Sequence, residues 1–371
     1  MKILFYSDSK WYGGAEKYLE DLIEAAALAN EVIFVHAEPV VVKRTFPKNV
    51  RLVNFKIAHP FDLPGYFRLK KLFSAERPDQ IHFNLHVPFS CQYGILAASR
   101  LFRRSQLSAS VLYVLKMGSK FPLVGRFRMQ VARWLLGRMA KLICVSERSR
   151  SELIENYNLK NEVVTKYLGV ELPVIDPEIA AEIKRRWSLE GKRIVGSVSR
   201  LVNDKGLEEL IKAFAALAPR FPAAVLMIVG AGYLEAKLKA AAAELQIADR
   251  VIFPGFVADP APYLSLFDLF VLFSKHESFP LSVLEAMAQA KPVIATNTGG
   301  TPEMVDDSTG ILLAPDDLNG LIAAIAALLD DPAKGRAMGE KGLARVKKEF
   351  LKAENTRRTI AAIIEVKKAV K

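Results

Sequence analysis

Cysteine is scarce in this chain. Two occur in 371 residues, Cys91 and Cys144, each inside an apolar stretch and neither in a C-x-x-C or Cys/His cluster. That leaves no cysteine-based metal or redox motif, and predicts two buried thiols in a reduced, cytoplasmic protein. Long apolar runs are missing as well. The longest, "AFAALAPRFPAAVLMIVGAGYL", is broken by Pro219, Arg220 and Pro222, short of the ~20 apolar residues that a membrane-spanning helix needs. The opening "MKILFYSDS" turns polar too soon for a secretory signal and reads as a first strand. No D-x-D carboxylate pair occurs, so nothing implies an obligatory divalent metal. Acidic residues are the minority charge, 40 against 52 lysines and arginines, for a formal net charge of +12. The excess points to an anionic partner. No interleaved aromatic–basic module marks that partner as nucleic acid.

What the chain does have is alternation. The length suggests two domains, and 51% apolar residues give each a core. "KILFYS", "EVIFVH", "QIHFN", "SASVLYVL", "KLICVS" and "EVVTKYL" read as strands with helical segments among them. Short apolar strands alternating with longer helices specify an α/β fold with a helix-wrapped parallel sheet. The pattern pauses at residues 171–187, where Pro173 and Pro177 precede a charged helix, and this stretch reads as a linker. It then resumes with "RIVGSVSR", "AAVLMIVG", "RVIFPG", "LFDLFVLFS", "PVIAT" and "GILLA". Two Rossmann-like domains in series are expected, over 1–170 and 188–353. In open sheets of this kind ligands bind at the carboxyl ends of strands, and with two such domains the expected site is the cleft where they face each other.

Each chemical motif lies at such a strand exit. "SDSKWYGGAEKY" places Gly13 and Gly14 before a helix, either as backbone N–H donors for an anion or as an ordinary turn. "GSVSRLVNDKGLEEL" puts Arg200 and Lys205 at one strand exit, which suits a diphosphate, against the plain reading of two solvated cations. "VLMIVGAGYLEAKL" has Gly230 and Gly232 but Glu235 where a dinucleotide fingerprint needs its third glycine, which disfavours a nicotinamide cofactor. "KHESFPLSVLEAMAQA" offers Glu277 directly after a strand and Glu285 in the next helix. Ser282 and Glu285 also form S-x-x-E, a capping box worth ~1 kcal/mol. "DQIHFNLHVPFS" brings His82, Asn84 and His86 to a strand end, where contact with a sugar is a better reading than zinc. Finally, residues 116–141 hold Lys116, Lys120, Arg126, Arg128, Arg133, Arg138 and Lys141 among Phe, Leu, Met and Trp with no acid. Such a segment suits an amphipathic helix on anionic lipid, or a helix buried on one face with a basic solvent face.

In this order the segments resemble glycosyltransferase family 4, the retaining nucleotide-sugar transferases of the GT-B fold. "HESFPLSVLEAMAQAKPVIATNTGGTPEMV" has the family's E-x7-E spacing, and "GGAEKY", "SRLVNDKG", "IVGAG" and "FPGFV" fall in the family's order. The resemblance implies that Glu277 holds hydroxyls of the transferred sugar and Glu285 those of the ribose. It implies that Arg200 and Lys205 bind the diphosphate, with Gly13, Gly14 and Gly230 nearby. Backbone at Val257 would meet the base, and backbone near Phe279, Leu281 and Ser282 the sugar or phosphate. The donor would be a UDP- or GDP-sugar and the acceptor a cell-envelope glycan or glycolipid, with no cofactor and no obligatory metal. The N-terminal domain would bind the acceptor, the second domain the donor, and the helix near 354–371 would pack back on the first domain. The chain departs from the family at Asn84 and at Leu115–Lys116, where relatives often carry histidine. Rival readings are a nucleotide-sugar epimerase and a non-catalytic nucleotide-sugar-binding protein.

Overall fold

The computed structural model describes residues 1–9, 13–37, 45–55, 62–114 and 122–365. The chain forms two compact units, Met1–Leu168 with Ala353–Lys371, and Gly169–Lys352. The first unit contains β1 (Lys2–Ser7), β2 (Glu31–Ala37), β3 (Val50–Phe55), β4 (Gln80–Leu85), β5 (Leu107–Val111), β6 (Lys141–Cys144) and β7 (Glu162–Thr165). The strand order is β3-β2-β1-β4-β5-β6-β7, with every pair parallel. The second unit contains β8 (Arg193–Val198), β9 (Ala224–Val229), β10 (Val251–Gly255), β11 (Leu269–Leu272), β12 (Val293–Thr296) and β13 (Gly310–Leu313). Its order is β10-β9-β8-β11-β12-β13, again all parallel.

Helices connect most successive parallel strands, so the inner strands are covered on both faces; β9 and β11 run apolar throughout, whereas β4 and β5 alternate apolar residues with buried polar ones. β4, β5, β9, β11 and β12 are buried along their whole length. Each unit has its own core. Leu4, Tyr6, Phe73, Phe83 and Leu142 anchor the first, and Val195, Phe214, Leu226, Leu269 and Ile294 the second. Both cysteines are free and buried, and burial pushes the Cys144 thiol up to about 12.

In each sheet the order reverses once, between β1 and β4 and between β8 and β11. At such a switch point neighbouring loops leave in opposite directions and open a crevice above the strand ends. Arg200 and Lys205 follow β8, and Glu277 follows β11.

One segment differs from the sequence pattern. Residues 171–187, expected as a linker, contain the helix Pro177–Arg186. Asp176 caps it by accepting from the Glu178 N–H at 2.9 Å, and Ile183 is buried. The whole stretch lies in the second unit. The C-terminal helix Lys352–Ile364 begins where the chain returns to the first unit. There Asn355 Nδ2 donates to the Leu168 carbonyl at 3.0 Å, and Ile360 and Ile363 are buried.

Candidate functional site

At the β8/β11 switch point the sequence supplies two cations and one carboxylate. Arg200 extends from the loop after β8 with its side chain exposed and, among the described residues, no acidic partner. Lys205 closes a short 3-10 turn, Asn203–Lys205. Its Nζ donates to Glu277 Oε1 at 2.7 Å, and each of the two side chains is only 11% exposed. A second carboxylate, Asp204, stands 3.9 Å from the same Nζ and is more open to solvent. The loops are also tied through the backbone, because the Lys275 N–H donates to the Asp204 carbonyl at 2.8 Å.

Glycines let these loops close on one another. Gly299, after β12, has φ +54°, and a Cβ there would stand 1.7 Å from the Glu277 carbonyl oxygen. The next residue's N–H donates to the Ser278 carbonyl at 2.7 Å. The backbone at Glu277 is therefore held from behind, and only its side chain is free to turn. Gly230 has φ +140°, and a Cβ there would stand 1.9 Å from the Ser199 carbonyl. Its missing side chain serves close packing against the loop that carries Arg200. Val257 follows the edge strand β10 and is half-buried.

The helix after Glu277 runs Leu281–Met287 and starts two residues earlier than a capping box at Ser282 requires. Its N-cap is Pro280, and no side chain caps it. Ser282 is thus the second helical residue, and the S-x-x-E pair is not a capping box here. Proline fixes φ near the value needed for entry and has no N–H to satisfy. Glu285, half-buried in mid-helix, is left to a role other than capping. Phe279 points into the core, its ring 5.9 Å from that of Phe350.

The expected first-unit residues divide. Gly13 precedes the helix Gly14–Ala27, and its N–H donates to Glu16 Oε2 at 2.8 Å. That N–H is committed inside the chain, so of the two glycines only Gly14 stays open toward an anion; a Cβ there would meet nothing within 4 Å. His82 is fully buried on β4, with Ser108 Oγ 2.9 Å from Nδ1 and Ser110 Oγ 2.9 Å from Nε2. Burial lowers its pKa from 6.5 to about 3, so the ring is neutral. Both ring nitrogens thus have serine partners inside the first unit. Asn84 is also buried, and its Nδ2 donates to the Ala15 carbonyl at 3.2 Å. His86, one residue past β4, is half-buried. Its Nε2 lies 3.1 Å from Glu16 Oε1 without hydrogen-bond alignment. Of the three, only His86 is part-exposed.

The model described as Glycosyltransferase Family 4 matches residues 12–172, and that described as Glycosyl transferases group 1 matches residues 180–345. The lipopolysaccharide core biosynthesis mannosyltransferase LpsB of Rhizobium meliloti is 32% identical over 63% of this chain and 68% of its own. The chain belongs to glycosyltransferase family 4. A GDP-mannose-dependent phosphatidylinositol monomannoside mannosyltransferase of Mycobacterium tuberculosis is 28% identical over 89% of both chains. The crystal structure of Anabaena HepE in complex with UDP matches with a TM-score of 0.81 at 23% identity, covering 98% of this chain and all of that one. It establishes the GT-B fold.

In this glycosyltransferase the structure brings Arg200, Lys205, Glu277 and Gly230 to adjoining loops of one sheet. Two contributors were not anticipated from sequence. Glu16 organises the Gly13 turn and faces His86, and the spacing Gly13-x-x-Glu16 was its available signal. Gly299 holds the backbone of Glu277, and its signal was the Gly299–Gly300 pair after an apolar strand. Of the basic stretch 116–141, Lys116 and Lys120 lie outside the described residues. The helix Pro122–Leu136 exposes Arg126, Phe127, Arg128, Arg133 and Trp134. Lys141 is buried and pairs with Glu162 at 3.2 Å, so it does not belong to that face.

Proposed function

We propose that this transferase moves a sugar from a UDP- or GDP-sugar to a cell-envelope glycan or glycolipid, with retention at the anomeric carbon and no obligatory metal. The observation that carries the reading is the group at the β8/β11 switch point: an exposed guanidinium with no acidic partner among the described residues, an ammonium and a carboxylate on two adjacent loops. Breaking a sugar–phosphate bond leaves an electron-poor sugar and a more negative diphosphate. Arg200 and Lys205 stabilise that diphosphate, the task a metal performs elsewhere. Glu277 takes sugar hydroxyls and Glu285 the ribose. The leaving phosphate oxygen accepts the proton of the attacking hydroxyl on the same face. Names of relatives support the acceptor class, since they include lipopolysaccharide core and phosphatidylinositol mannoside transferases. The test is a thermal-shift screen of UDP- and GDP-sugars followed by transfer assays. A native-state ligand raises Tm; no shift with any of them, or hydrolysis unchanged by every acceptor, counts against the reading.

The same proposal places the first unit against an anionic membrane. Phe127 and Trp134 are 66% and 47% exposed, and at i, i+7 they share one helical stripe. Arg126 and Arg133 flank that stripe on one side. On the other, Arg138 stacks over Trp134 at 4.3 Å. The helix contains no acidic residue. Aromatic rings beside arginines suit the lipid headgroup region.

A further inference from the structure

We propose that Glu277 competes with the donor's diphosphate for Lys205, and that this competition selectively weakens binding of the bare nucleoside diphosphate. The proposal rests on the donor-site reading above. The anion position at Lys205 is filled by the protein's own carboxylate, at 2.7 Å. Both partners are largely withdrawn from water, with side chains 11% exposed. A diphosphate that takes Lys205 must displace that carboxylate. The backbone at Glu277 cannot retreat, because Gly299 and the Gly300–Ser278 hydrogen bond hold it. Only side-chain rotation remains. The displaced carboxylate then needs new donors, since a withdrawn charge without partners is costly.

The two nucleotide ligands differ at this point. A nucleotide sugar brings hydroxyl donors, which replace the ammonium that Glu277 gave up. A nucleoside diphosphate brings none, and leaves the carboxylate beside an anion. Glu277 therefore favours the intact donor over the product that carries the same diphosphate. Recapture of Lys205 by Glu277 also helps to expel the product after transfer. Asp204 has the same charge but stands 3.9 Å away and is 39% exposed, so it shares little of this effect.

The experiment is calorimetric titration of UDP, UDP-glucose, GDP and GDP-mannose into the full chain and into Glu277→Gln, Glu277→Ala, Asp204→Asn and Lys205→Ala. In both Glu277 variants the nucleoside diphosphate should bind roughly fivefold to tenfold tighter, because no charged pair has to be broken. The nucleotide sugar should bind no tighter, so the preference for it over the diphosphate shrinks. Asp204→Asn, with the same change in net charge, should keep the wild-type preference. Diphosphate binding that is unchanged or weaker in both Glu277 variants overturns the proposal, as does an equal shift in Asp204→Asn. The donor-site reading is checked separately, since it requires that the wild type bind a diphosphate and that Lys205→Ala bind it less well. If that fails, both ideas fall. If it holds while the Glu277 variants do not tighten, only the competition is wrong. Product inhibition of transfer gives the same answer kinetically, through a lower inhibition constant for the diphosphate in Glu277→Gln.

Discussion

Arg200 and Lys205 carry like charges into one crevice, yet they should not respond alike to removal. Replacing either by alanine is expected to weaken diphosphate binding by ~1–3 kcal/mol, the range for charge-assisted hydrogen bonds. Arg200 has no acidic partner among the described residues, so Arg200→Ala should leave Tm unchanged. Lys205→Ala strands Glu277 and should lower Tm as well. Titration calorimetry and thermal melts on both variants check this; equal Tm losses would contradict it. His82 gives a second residue-scale test. Folded, its pKa is about 3 against an ordinary 6.5, so below pH 6.5 the unfolded chain takes up a proton that the folded chain refuses. Stability from this group is therefore intact above pH 6.5 and falls as pH drops toward 3, by up to ~1.4 kcal/mol per pH unit. Urea unfolding of His82→Gln between pH 7 and 4 should show an acid limb shallower by that amount, and parallel limbs would refute it. None of this was legible in "QIHFN". The residues that satisfy His82 are Ser108 and Ser110 on the neighbouring strand, where register sets Ser108 opposite His82 and Ser110 opposite Asn84. Local sequence names a histidine at a strand end but not the serines beside it.

At the scale of elements, the apolar runs name every strand except β3. The two parallel sheets follow from apolar runs spaced by helices. β3 escaped notice because "VRLVNF" is an edge strand, exposed along much of its length, and its Arg51 and Asn54 break the apolar signal. The helix Leu281–Met287 starts two residues before the point that the S-x-x-E spacing sets, because Pro280 is its N-cap, a choice that backbone geometry makes and that spacing hides. The consequence is measurable. Ser282→Ala should cost well under the ~1 kcal/mol of a lost cap, by chemical denaturation, whereas Glu16→Ala should cost about that much because Glu16 does accept the Gly13 N–H. A large loss in Ser282→Ala would restore the capping box. The helix Pro122–Leu136 offers a binding test. Sedimentation with anionic vesicles should fall with added salt and with Arg126 and Arg133 reversed to Glu. Loss with Phe127 and Trp134 changed to Ser would separate insertion from simple charge attraction. Binding to neutral and anionic vesicles alike, or to neither, returns the helix to an ordinary solvated face.

For the whole molecule, the charge balance and the missing D-x-D pair point the same way. Transfer should survive excess chelator, and a loss restored by added divalent ion would show that a metal takes part. The division of the chain matters more. The first unit is built from Met1–Leu168 and Ala353–Lys371, with all of the second unit between. On a ribosome the last helix of the first unit emerges only after the second unit has been made. At typical synthesis rates the 184 residues of Gly169–Lys352 (352 − 169 + 1) occupy roughly 10–40 s. Throughout that interval the first unit waits with the Leu168 carbonyl lacking Asn355, and without the covering supplied by Ile360 and Ile363. The nascent chain thus carries an unfinished apolar seam, which a chaperone can bind and which a stalled or truncated message leaves open for good.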